Sequence, residues 1–117
     1  MSTNSTIAAG IVALSLFLSV NIPFAVAADV TEAQVASAKT ASDHEAIAAS
    51  YDLEAKAADE KAAEHVAMAK TYRSLGQKGT AASMTSHCNR LIEEYRAAAK
   101  EYRSLAAEHR EMARTAK

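Results

Sequence analysis

Residues 44–72 read HEAIAASYDLEAKAADEKAAEHVAMAKTY, and their spacing decides the fold. Taken in alternating steps of four and three, His44, Ala48, Tyr51, Ala55, Ala58, Ala62, His65, Ala69 and Tyr72 form one heptad stripe. Such a stripe lies along a single face of a helix and seeks a partner helix. Its filler is mostly Ala, and two of its members are His. The stretch from Asp43 to Leu75 holds no Gly or Pro and is built of strong helix formers apart from its Asp residues.

The second half answers in the same rhythm with Met84, Cys88, Leu91, Tyr95, Ala98, Tyr102, Leu105, His109, Met112 and Ala116. Between the halves, Gly76-Gln77-Lys78-Gly79 is the one turn signal after residue 28. Gly76 suits the end of the first helix, and Thr80 or Ser83 suits the cap of the second. No useful length alternates with period two, so no sheet is expected. The expected fold is all-α: a long antiparallel, Ala-rich helical hairpin with helices at about 31–75 and 81–116 and a loop at 76–79. Thr31 with Gln34, and Ser42 with Glu45, are candidate capping boxes. They leave Val30–Thr40 as a separate short helix, a frayed tail or the first turns of the long one.

The two halves also repeat, with an offset of 44 residues. Tyr51 aligns with Tyr95, and Ala55-Lys56 with Ala99-Lys100. Ala62-Ala63-Glu64-His65 aligns with Ala106-Ala107-Glu108-His109, and Met68-Ala69 with Met112-Ala113. At the same offset, His44 corresponds to Cys88. We read this as a duplication, with A-A-E-H-x-x-M-A as its motif.

Residues 1–28 stand apart. An apolar run from Ile7 to Val20, then Pro23 and the small residues Ala25 to Ala28, reads as a secretory signal peptide, although Met1 to Thr6 holds no Lys or Arg. The alternative is a retained membrane anchor. Residues 29–117 would then form the helical-hairpin domain, in the periplasm or secreted.

The chain has 117 residues, a formal net charge of -1 and no Trp. With no basic run, nucleic acid is not expected as a partner, and a membrane only if the N-terminal segment is retained. The single Cys leaves an intermolecular disulfide, a free thiol or a metal ligand. No nucleophile elbow, phosphate-binding loop or haem-attachment motif is present, and Glu45, Glu64 and Glu108 do not have the spacing of a carboxylate-bridged metal bundle. An enzyme is not expected, nor an organic cofactor. An Ala seam buries little area, so the hairpin is expected to dimerise into a four-helix bundle, widened by Ile47, Leu53, Val66 and Ile92.

Folding near Gln77-Lys78 sets the register. Tyr72 should meet Met84, His65 should meet Cys88 or Leu91, Tyr51 should meet Tyr102 or Leu105, and His44 should meet His109 or Met112. Candidate metal ligands thus gather at the two ends: His65, Met68, His87 and Cys88 near the turn, and His44, His109 and Met112 far from it. Imidazole, thiolate and thioether suit copper first, then zinc or nickel. His-x-x-Met occurs at His65/Met68 and His109/Met112, a spacing that puts both side chains on one patch of helix. The corresponding role is metal storage, delivery or sensing. The competing expectation is a structural or stress-related envelope bundle, with an envelope protein as partner, in which the His residues are seam filler or a pH switch. The general layout resembles exported helical-hairpin metal sensors and metal-stress chaperones, a likeness of fold that assigns no residue.

Overall fold

The computed structural model describes residues 29–117, so the expected signal peptide lies outside the described residues. Three helices follow one another: α1 (Glu32–Ser37), α2 (Ala41–Leu75) and α3 (Gly79–Thr115). No strand occurs among the described residues, and no helix there is long and apolar enough to cross a membrane. Helices α2 and α3 pack side by side as an antiparallel hairpin, the fold class that the heptad stripe predicts.

The first helix is interrupted rather than continuous from residue 31. The Thr31–Gln34 capping box forms and starts α1. The second box is Thr40 with Asp43, not Ser42 with Glu45. The Asp43 carboxylate accepts hydrogen bonds from the backbone N–H of Lys39 and Thr40, at 3.0 and 2.9 Å. Those two bonds, the Lys39 one first, hold its carboxyl below the usual carboxylate range. They satisfy donors at the N-terminus of α2 while Ala38 and Thr40 stay extended. Ahead of α1, the Val30 N–H donates to Glu54 Oε1 at 2.9 Å and ties the segment alongside α2.

The turn comprises Gly76, Gln77 and Lys78, and α3 starts at Gly79, a little earlier than expected. Lys78 is its N-cap and makes no side-chain capping bond, so neither Thr80 nor Ser83 caps α3. Gly79 sits at φ 64°, in the left-handed region where a Cβ is disfavoured, although the space around it is open. Gly79→Ala should therefore cost about 1 kcal/mol through the backbone alone, read as a lower denaturant midpoint with an unchanged slope.

The seam departs from the expected stripe on one helix. On α2, Ala48, Ala55, Ala58, Ala62 and Ala69 are buried as the heptad predicts, joined by Ile47. On α3 the buried residues are Cys88, Ile92, Ala99, Ala106, His109 and Ala113. The expected members Leu105 and Met112 are 37% and 46% exposed. The reason is size. Eight of the twelve buried residues are Ala, and no large side chain among the described residues is fully buried, so the helices approach closely where side chains are smallest. Ala48, Ala99 and Ala106 are fully excluded from solvent. Leu53 and Val66, expected to widen the apolar face, are 51% and 44% exposed.

The true α3 stripe is the α2 stripe carried forward by the repeat. His44, Ala48, Tyr51, Ala55, Ala62, His65 and Ala69 advance to Cys88, Ile92, Tyr95, Ala99, Ala106, His109 and Ala113. A duplicated helix folded back on its copy has an approximate two-fold relation, and the contacts obey it. The rings of Tyr51 and His109 lie 5.7 Å apart, and those of their counterparts Tyr95 and His65 lie 5.6 Å apart. Asp59 and Arg103 are each other's counterparts and form an ion pair, on the axis itself. Arg110 bonds Asp52 at 2.5 Å and approaches Glu45 at 3.9 Å. These pairs are about half exposed and add little stability each, but they fix register along one edge.

Candidate metal site at the end of the hairpin

His44 is carried by the second turn of α2 and His109 by the last turns of α3. The loop length brings them level, and their Nδ1 atoms are 3.1 Å apart. The rings are tilted by 36° with centroids 5.3 Å apart. His109 is 6% exposed and is the one polar or charged side chain in the buried set of the described residues. Tyr51 lies against its ring, and Tyr102 stacks on Tyr51 with centroids 6.1 Å apart. The Tyr51–Tyr102 contact falls in the expected register, and the Tyr51–His109 contact lies outside it.

Two Nδ1 atoms at this distance make one hydrogen bond only if one carries the proton and the other offers its lone pair. Both rings cannot be protonated without losing it. Burial first, then the neighbouring His44 charge, pushes His109 below the usual imidazole value, with Glu108 opposing. His109 is thus held toward the neutral state, in which imidazole is a metal ligand.

The distance also fits a shared ion. Two nitrogens each about 2.0–2.1 Å from one ion, at an angle of about 90–110°, stand about 2.8–3.4 Å apart. The observed 3.1 Å lies inside that range. Such a bent pair leaves coordination positions open. Met112, one turn beyond His109, is near enough in sequence to offer a thioether, but it stands at the surface rather than in the seam. Among the described residues no group of three or more His, Cys, Asp or Glu side chains gathers to hold a metal ion.

The other candidates are more dispersed. His65 stacks nearly parallel on Tyr95, with 13° between the planes. Cys88 is a buried free thiol packed with Ala69 and Ile92, and Tyr72 leans on the same cluster. Met68 is 37% exposed, and His87 is exposed on α3, away from the seam. Of the expected turn-side four, Met68 and His87 thus fall away, leaving His65 against Tyr95 and Cys88 among Ala69 and Ile92. Tyr51 and Tyr95 are not among the candidate ligands that the sequence offers. The repeat that pairs them with each other, and His65 with His109, already carried the signal for both ring contacts.

The fold and the site define a class in structural terms, an all-α antiparallel hairpin with a two-imidazole pair across its seam. Compared with known family models, curated proteins and solved structures, the chain matches none of them.

Proposed function

We propose that this chain is an exported, non-enzymatic helical hairpin that binds a late transition metal at His44 and His109. Copper is the first candidate, with zinc and nickel next, and the role is storage, delivery or sensing. The single observation that supports this reading is the facing pair of Nδ1 atoms at 3.1 Å. Copper leads because imidazole suits it and a nitrogen site holds divalent copper more tightly than nickel or zinc. Export rests on the signal-like composition of residues 1–28. Dimerisation into a four-helix bundle would cover Leu105, Met68 and Met112, which the single hairpin leaves exposed.

The test is metal content after titration with Cu(I), Cu(II), Zn(II) or Ni(II) and removal of excess ion. One equivalent should be lost in His44→Ala and again in His109→Ala, with helix content unchanged. Retention of the full stoichiometry in both variants would sink the reading.

A second reading is favoured by the downward shift of His109. The hairpin is then a structural envelope module without metal, and the imidazole pair loosens its far end in acid. Reversible fraying of this end on acidification, with no retained metal under any condition, would favour it.

A further inference from the structure

The two-fold relation of the hairpin gives the His44–His109 pair a counterpart. His109 advances from His65, and His44 advances to Cys88. At the far end both members are imidazoles, and their Nδ1 atoms satisfy each other. At the turn-side end one imidazole is replaced by a thiol, and the exchange leaves a debt. His65 Nδ1 is out of reach of solvent and has no hydrogen-bond partner among the described residues. Its ring lies nearly parallel to Tyr95 of the opposite helix, where its counterpart His109 leans on Tyr51 at a tilt of 38°. Cys88 is buried beside Ala69, one helical turn from His65, as a free thiol.

We propose that His65 and Cys88 form a second metal site, of nitrogen–sulfur type, that takes a soft monovalent ion, Cu(I). An unpaired buried imidazole nitrogen is costly unless something accepts its lone pair. A thiolate is the preferred ligand of Cu(I), and imidazole is a suitable second one. On binding, Cys88 releases its thiol proton to solvent, and the ion takes one electron pair from Sγ and one from His65 Nδ1. No oxidant or reductant is consumed. The duplication has thus kept the seat of a ligand pair at each end and changed its chemistry at one. The far end offers two nitrogens, and the turn-side end offers nitrogen with sulfur. The turn-side site uses none of the residues of the far site, so either can fail alone.

The experiment uses the purified full chain, reduced and kept anaerobic, with Cu(I) supplied from a chromophoric chelator as the probe. Alkylation of Cys88 by iodoacetamide is followed by mass. In the native chain, and equally in His44→Ala, Cu(I) should slow alkylation by about tenfold or more, because the metal-bound thiolate is withdrawn from attack. In His65→Gln that protection should fall markedly. Cys88→Ser should bind one equivalent fewer than the native chain while the equivalent removed by His44→Ala persists. Unchanged alkylation of the native chain with Cu(I), or protection as strong in His65→Gln as in the native chain, overturns the second site. If only His44→Ala and His109→Ala leave the stoichiometry intact, the far site fails and this one stands. The alkylation arm needs no Cys88 variant, so poor folding of Cys88→Ser cannot hide the answer.

Discussion

Ala106→Leu is expected to lower the thermal midpoint by about 10–20 °C, because added methylenes in a packed seam cost up to about 3 kcal/mol and a small domain moves by about 4–8 °C per kcal/mol. Ala106 is fully excluded from solvent on the buried line of α3. Its neighbour Leu105 is the larger and more apolar residue, yet it is 37% exposed. Leu105→Ala should therefore shift the midpoint by no more than about 5 °C, the lost partial burial being offset in part by the better helix propensity of Ala. The contrast between the two variants matters more than either value. A seam through Leu91, Ala98, Leu105 and Met112 would reverse it, making Leu105→Ala the damaging change. Paired thermal melts by circular dichroism decide the matter.

The second large effect is that of pH. His109 has its folded value pushed below the usual imidazole value of 6.5 by burial and by His44. The unfolded chain therefore binds a proton more readily than the folded one in the range below about 6.5. The stability this group contributes is complete above that value and is lost as pH falls through it toward the lowered one. A second proton on the pair would also set two imidazolium rings face to face. The metal-free protein should thus melt at a clearly lower temperature at pH 5 than at pH 7.5. His109→Gln should flatten the profile in this window. Asp43 acts in a separate window: its carboxyl lies below 3.8, so its contribution is present above that and lost only in stronger acid. A profile that stays flat from pH 7.5 to 5 would contradict the role given to the pair. Bound metal and protons compete for the same nitrogens, so saturating metal should raise the midpoint at pH 7 and lose that effect in acid. At about a hundredfold excess over Kd the gain is about 2.7 kcal/mol.

How much of this was legible in the sequence depends on the element. The hairpin was, because a long Gly-free, Ala-rich heptad, a single Gly-bounded turn and a second heptad admit few other folds. The far-end pairing was too, since a short turn fixes register and His44 then falls level with His109. The break before α2 was signalled by Thr40 and Asp43, but Ser42 and Glu45 offered an equally plausible pattern two residues later. The α3 seam was misplaced because hydrophobicity singles out Leu91, Leu105 and Met112, whereas a close two-helix contact is decided by the smallest side chains. The repeat contained the right answer, since carrying the α2 stripe forward lands on Ile92, Ala99, Ala106 and Ala113. The turn-side cluster was overdrawn for a related reason. Adjacency to Cys88 put His87, and the three-residue step from His65 put Met68, beside the ligand candidates, but both stand exposed on their helices.

The proposed site has one metal ion shared by the two Nδ1 atoms of His44 and His109. Long-range nitrogen–proton NMR spectra of protein labelled with ¹⁵N-histidine, recorded during titration with Zn(II) as a diamagnetic probe, address it most directly. Nδ1 of both rings should shift together toward the metal-bound range up to one equivalent, while His87 stays unchanged. If the Nδ1 resonances of His44 and His109 do not move, or only exposed His87 responds, the shared site does not exist.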